Sequence, residues 1–401
     1  MCCIVLLLLV TMAGAQQAPQ YRYDATWPKL PLPNKWTFGG VTGLTVDSRD
    51  VIWVLHRPED LDETENYATL NPPRADCCVK APEVLAFDMQ GNLVHSWNAQ
   101  PGHMLLVDRK GQVWIGSDTF RIFSQDGKLI AEFPRAPELA RTVRAGNGEG
   151  EGRPGGGAAR QGGPGRQGGG EGAGRGRQGG GDGQAAGRGQ PQAPPYPADI
   201  ELIAGGIEGA EFDEGAREVY VTDNYLGGRV LVFDMDTFKF KRGWGAYGKP
   251  LKDISTQPRP PLVDPKAPPN KDFVSHVTIA VSRDGVVYAA DRRSNRIQTF
   301  TKQGKYLAEY FVAPETLDRG STGGMAFSQD RDQRYLFVSD IMQNCVWILN
   351  RKDMKPIGRF GFSGHNGGGF HWLHMIATDS KGNIYTGEVD SGKRVQKFVL
   401  N

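Results

Sequence analysis

The chain has 401 residues, 39% of them apolar, and a formal net charge of +2. That is enough for one large all-β domain or two ordinary ones. The near-balance of charge excludes bulk attraction to nucleic acid or to an acidic membrane surface.

The first stretch, "MCCIVLLLLVTMAGAQQ", is an apolar run of leader length followed by Ala13-Gly14-Ala15, a small-x-small cleavage pattern, although no Lys or Arg precedes the run. It is too short to span a bilayer comfortably. A signal peptide over 1–15, cleaved after Ala15, is therefore expected, with a secreted or periplasmic mature chain that carries no transmembrane helix. Cys2 and Cys3 leave with the leader, and Cys77, Cys78 and Cys345 remain. An exported chain permits a vicinal Cys77–Cys78 disulfide, and two packed thiols are the equal alternative. No Cys-x-x-Cys spacing supports a thiolate zinc site.

From residue 39 onward one pattern recurs: a small or apolar run, Asp or Ser, a polar turn usually ending in Gly, and a β-rich run with Trp or Tyr. An acidic residue and two further strands follow. Six units carry it, beginning "GGVTGLTVDSRDVIWVLHRP", "HMLLVDRKGQVWIGSD", "GAEFDEGAREVYVTDNYLGGRVLVFD", "HVTIAVSRDGVVYAADRRSNRIQTF", "GGMAFSQDRDQRYLFVSDIMQNCVWIL" and "HMIATDSKGNIYTGEVDSGKRVQKF". The later intervals are just under about 50 residues, the period of propeller blades with four short strands each. The expected fold is an all-β, six-bladed β-propeller over 21–401. The last unit ends after three strands, so a strand from within "YRYDATWPKL" is expected to complete it and close the ring, removing exposed sheet edges. The segment 145–195 is nearly all Gly, Arg, Gln, Pro and Ala, too poor in apolar side chains to offset the entropy of ordering. It reads as a disordered low-complexity insertion between blades two and three. Its Arg-Gly repeats resemble RNA-binding segments, but a solvated loop suits an exported chain better.

Three histidines stand at the entrance of an inner strand. His103 and His374 lie at the same distance before the turn glycine, and His276 one residue further back. They fall in blades two, four and six. Alternate blades of a six-membered ring are about 120° apart, so the three side chains are expected to converge on the axis. Three imidazoles with one position open is a donor set that zinc accepts in catalytic sites. Thr42, Glu208 and Thr322 occupy the corresponding places in blades one, three and five, and none is expected to compete strongly as a ligand. His56, His95, His365 and His371 lack the repeat position and read as structural or exposed.

These repeats resemble those of NHL-repeat propellers, and in particular peptidyl-α-hydroxyglycine α-amidating lyase, in a bacterial-type form. The resemblance covers most of the mature chain outside the Gly/Arg-rich insertion. It implies zinc on His103, His276 and His374. It also implies catalytic roles for Arg57 in "VLHRPED", Tyr225 in "TDNYLGGRVLVF" and Arg292 in "AADRRSNRIQTF". Met375 follows His374 where the family has an aspartate on a structural calcium, which leaves that calcium without its ligand here. The implied substrate is a small molecule or peptide ending in an α-hydroxyglycine-like group, and the chain is expected to be a monomer.

Such a carbinolamide, N–CH(OH)–COO⁻, gives an amide and glyoxylate when the hydroxyl loses its proton and the C–N bond breaks. Arg57 or Arg292 suits a bidentate grip on the carboxylate. Tyr225 suits proton transfer, which an arginine does not. Tyr225, Arg57 and Arg292 are equally compatible with ordinary rim positions. Two other classes remain open: a non-catalytic propeller binding a peptide, glycan or protein, and a gluconolactonase-type hydrolase using Glu208 and Asp223 with calcium. The loop "NPPRADCCVKAPEVL" is expected to narrow access to the channel.

Overall fold

Each repeat folds into a four-stranded antiparallel sheet because its inner strand ends in a residue built to hold a tight turn. In blade 1 Asp47 accepts hydrogen bonds from the Arg49 and Val51 amides and from Trp53 Nε1. Asp108 does the same for Gln112 and Trp114, and Asp379 for Lys381, Asn383 and the Tyr385 hydroxyl. The aromatic of the second strand is thereby tied to the turn that precedes it, which is the physical content of the repeating Asp, turn and Trp/Tyr pattern. In blade 4 the Ser282 hydroxyl accepts from the Val286 amide in the same place.

The structure, a computed structural model, describes residues 17–134, 196–224, 228–255 and 264–401. The leader over 1–15, the insertion over 145–195 and Tyr225 lie outside them. Among the described residues the strands form six four-stranded sheets and one short parallel pair, Trp36–Thr37 with Val79–Lys80. From the axis outward, blade 1 is Gly40–Val46, Ile52–Arg57, Val84–Phe87 and Leu93–Trp97. Blade 2 is Met104–Val107, Val113–Gly116, Phe120–Phe123 and Leu129–Glu132. Blade 3 is Ile207–Asp213, Glu218–Asp223, Arg229–Asp234 and Phe240–Trp244. Blade 4 is Val277–Val281, Val286–Asp291, Arg296–Thr301 and Tyr306–Phe311. Blade 5 is Met325–Phe327, Tyr335–Asp340, Cys345–Asn350 and Lys355–Phe360. Blade 6 is Leu373–Thr378, Ile384–Glu388 and Arg394–Leu400, and its outer strand is Tyr21–Tyr23 from the other end of the chain. Tyr21 pairs with Leu400 and Tyr23 with Phe398, so the closure expected from the sequence is present.

Inner strands touch in order around the ring, including blade 6 against blade 1. One apolar cluster fills each gap: Trp53, Leu55, Leu105 and Ile115 between blades 1 and 2, for example, and Leu44, Val41, Met375 and Tyr385 between blades 6 and 1. Hydroxyls stitch the same gaps near the axis. Thr42 donates to Gly102 O, Thr222 to Val277 O, Thr278 to Gly323 O and Ser339 to His374 O. No helix among the described residues is long and apolar enough to cross a membrane.

In blades 3, 4 and 6 a buried acid closes the second strand and an arginine opens the third. Asp223 pairs with Arg229 at 2.8 Å, Asp291 with Arg296 at 2.9 Å and Glu388 with Arg394 at 2.6 Å. The pair also captures the backbone that runs into its own blade. Asp223 accepts from the Ala204, Gly205 and Gly206 amides while Arg229 donates to the carbonyls of Ala198, Ile200 and Leu202. Arg296 holds the Asn270 and Asp272 carbonyls in the same way, and Arg394 those of Gly364 and Gly369. Blade 5 breaks the rule, because Asp340 faces Cys345. Burial pushes the Asp340 carboxyl up to about 6, against the pull of the Gln343 amide and the Trp347 indole.

Two outcomes follow from this pairing. Arg229→Ala leaves Asp223 buried without its cation and is expected to cost about 3–5 kcal/mol, read as a lowered urea midpoint. Asp340 keeps its proton to higher pH in the folded chain than in the unfolded one, whose carboxyl titrates near 3.8. Folding therefore binds a proton between those values, and this residue's contribution falls by about 3 kcal/mol as pH rises from about 4 to about 6. Urea titrations of the wild type and Asp340→Asn at pH 4, 5 and 6 should diverge by that slope; parallel curves would remove the assignment.

Candidate metal centre

The first strand of a blade packs its side chains against neighbouring blades, so a residue facing the axis needs a break in the ladder. Blade 3 has one: Ile207 pairs with Asp223 and Gly209 with Thr222, leaving Glu208 without an opposite residue. In blade 6 Leu373 pairs with Glu388 and Met375 with Gly387, leaving His374 in the same position. Bulges of this kind re-aim a side chain. In blade 2 the His103 amide donates to Gly116 O, and Met104 pairs with that same residue. His276 precedes Val277 with a φ of 53°, the left-handed region. The His374 carbonyl accepts from Ser339 Oγ at 2.9 Å and from the Gly324 amide at 3.2 Å. A Cβ on Gly324 would stand 2.8 Å from that oxygen, so glycine is required for the approach.

The result is a cluster centred on a carboxylate. Glu208 Oε1 lies 3.0 Å from His276 Nδ1 and 3.7 Å from His374 Nε2, and Glu208 Oε2 lies 3.4 Å from His103 Nε2. The His103 and His374 rings meet edge to face with centroids 5.2 Å apart. One potential ligand atom from each of His103, Glu208 and His374 falls within 4.8 Å of the others. Glu208 is 1% exposed and His374 6%. Burial raises the Glu208 carboxyl, but the charges of His103 and His276 outweigh it and hold the group well below the usual range. Burial and Arg292 push His276 down to about 4, and burial lowers His374 as well. A buried carboxylate surrounded by imidazoles is a donor set for a divalent cation. The fit has a direct sign: His374 Nδ1 and His103 Nε2 are buried and make no hydrogen bond among the described residues.

The three predicted histidines thus meet, and they meet on a residue set aside at the sequence level. Glu208 is in phase with His103 and His374 when counted from the turn acid: each stands five residues before Asp213, Asp108 and Asp379. Counting from the turn glycine hides this, because Gly215 comes early in its turn. His276, one residue out of phase, touches the carboxylate and stands outside the tight group. Thr42 and Thr322 bond backbone carbonyls of Gly102 and Arg296, as non-ligands should. Met375 packs in the apolar cluster between blades 6 and 1.

Arg57, Asp223 and Arg292 all lie at the ends of second strands, on the face where the inner strands begin. Arg292 is 4% exposed, and its charge is felt at both His276 and His374. Asn224, just before Tyr225, bonds both the amide and the carbonyl of Val277, the residue after His276. Arg57 is held differently, by Asp60 at 2.9 Å and by Asp390 of blade 6 at 2.7 Å. Among the other histidines, His56 is a satisfied core residue between the Gly39 amide and Pro82 O. The Cys77 and Cys78 thiols are free, with Sγ atoms 2.7 Å apart. Their loop is anchored sideways, through Asp76 to Lys35 and through Glu65 to Lys393.

Arg57→Ala is expected to lower stability by about 1 kcal/mol, since its ion pairs are partly exposed, and to leave metal content intact. Loss of metal with unchanged stability would place Arg57 in the site instead.

No protein-family description matches the chain, and no characterised protein matches it in sequence. Solved structures similar to it include a protein of unknown function from Bacteroides thetaiotaomicron VPI-5482, with 11% identity over 96% of this chain and 73% of that one and a TM-score of 0.49. A streptogramin B lyase matches with 13% identity over 91% and 95% and a TM-score of 0.43. A virginiamycin B lyase from Staphylococcus aureus matches with 12% identity over 91% and 87% and a TM-score of 0.43. The six-bladed β-propeller of this chain rests on its own strands, six four-stranded sheets whose inner strands touch in order around a ring.

Proposed function

We propose that the chain is a zinc-dependent lyase that splits a carbinolamide, N–CH(OH)–COO⁻, into an amide and glyoxylate. The observation that carries the reading is the buried cluster of one carboxylate and imidazoles, with ring nitrogens left without hydrogen bonds, next to a buried arginine. Nitrogen donors with a single carboxylate favour zinc over calcium, which takes oxygen ligands. A calcium-dependent hydrolase is also disfavoured because Asp223 is committed to Arg229 and three amides.

His103, His374 and Glu208 would hold the ion, and His276, hydrogen-bonded to Glu208 Oε1, fixes the carboxylate and keeps it ionised. Bound zinc would supply Lewis acidity toward the substrate hydroxyl. Arg292 presents a planar fork to the substrate carboxylate. Arg57, clamped by Asp60 and Asp390, stiffens the wall rather than reaching for substrate. Tyr225, as its phenolate, takes the hydroxyl proton as the carbonyl forms and passes it to the departing amide nitrogen as the C–N bond breaks.

Metal analysis of purified chain should find about one zinc per molecule, lost in His374→Ala and Glu208→Gln. Glyoxylate release from a model α-hydroxyglycine peptide should require that zinc. Zinc without glyoxylate would discard the reaction; a metal-free chain that cannot be loaded would discard the site. Tyr225→Phe should lower kcat by about 10²-fold, and unchanged turnover would remove Tyr225 from the chemistry.

A further inference from the structure

Arg293 has no role in the reaction above, yet its environment asks for an anion. It sits in the single 3-10 turn Arg292–Ser294 that follows the second strand of blade 4. Its Nε is buried and makes no hydrogen bond among the described residues. The contrast with Arg296, three residues on, is informative: that guanidinium is saturated by Asp291, Glu309 and two carbonyls. A guanidinium drawn partly out of water without a partner is costly, and an arriving carboxylate relieves the cost.

The position is beside the metal cluster. Asp291 pairs with Val277, the residue after His276, so the turn carrying Arg292 and Arg293 begins next to that histidine. The connection between blades 4 and 5 is pressed onto the same turn. Gly320 has a φ of +75°, and a Cβ there would stand 1.8 Å from Arg292 O and 3.1 Å from Arg293 Cα. Its neighbour Arg319 places its guanidinium 4.5 Å from the centre of the Trp372 ring, two residues before His374. Three arginines and an indole thus gather on the blade 4 to blade 6 side of the cluster.

A carbinolamide with one carboxylate needs one arginine, and Arg292 supplies it. We propose that Arg293, backed by Arg319 on Trp372, forms a second carboxylate subsite, so that the substrate is a dicarboxylate whose acyl portion ends in its own carboxylate. This rests on the proposed reaction for the identity of the first carboxylate.

Isothermal titration of the full chain with succinate and with acetate tests it without turnover. Succinate should bind about tenfold more tightly than acetate. Arg293→Gln should erase that preference while leaving acetate binding unchanged, and Arg293→Lys should retain part of it, with thermal melts confirming that each variant is folded. Equal binding of the two acids by the wild type, or a preference that survives Arg293→Gln, would overturn the subsite. A succinate preference lost in Arg293→Gln, in a chain that releases no glyoxylate, would keep the subsite and discard the lyase. Equal glyoxylate release from substrates with and without the second carboxylate would do the reverse.

Discussion

The carboxylate–arginine pair at the end of a second strand anchors three of the four blades that supply the cluster. In blades 3, 4 and 6 that pair seizes the backbone entering the blade, and those are the blades that deliver Glu208, His276 and His374. The connection from 198 to 206 buries Ile203 between blades 2 and 3 and is also fixed by polar capture: three amides on Asp223 and three carbonyls on Arg229. Buried ion pairs add little net stability compared with apolar replacements, but breaking one is expensive. Here they act as anchors. Blade 5, where cysteine replaces the arginine, contributes only Thr322 at the equivalent place, and that hydroxyl is spent on a backbone carbonyl.

The second organising element is charge. A single anionic carboxylate in contact with three imidazoles holds the cluster together, and the surrounding wall is cationic through Arg292 and Arg293. The proposed cation site, inside a cationic rim, would select ligands that satisfy both: an anion that brings a polar oxygen to the centre. The wedge-shaped apolar packing between blades then keeps this arrangement out of bulk water.

The fold was legible because the repeat is written in residues with local jobs. The Asp before the turn, the Trp or Tyr six positions on and the short β-rich runs specify a blade without reference to distant contacts, and even the borrowed outer strand follows from the missing fourth run. The site was half legible. His103 and His374 are visible because histidine is rare and their spacing repeats. Glu208 is legible as the matching position of blade 3 but not as a centre of the cluster, because acids are common in this chain and because Gly215 comes early in its turn, so the glycine is a poor ruler while the turn acid is a good one. The bulges that swing Glu208 and His374 toward the axis leave no signature in composition. The second strand ends were readable as acidic positions, but their pairing with the arginines across the hairpin is a tertiary fact, and Arg57's capture by Asp390 joins residues 333 positions apart.

The strand Tyr21–Tyr23 is the first described segment of regular structure to leave the ribosome, and its partner Arg394–Leu400 is the last. For as long as synthesis continues, blade 6 does not exist and its apolar faces have nothing to pack on. Ring closure is accordingly the most non-local event in the fold, joining Tyr21 to Leu400. A chain clipped at either terminus would lose more than a few surface residues: it would become an open arc with an exposed strand edge, prone to pair with a second arc.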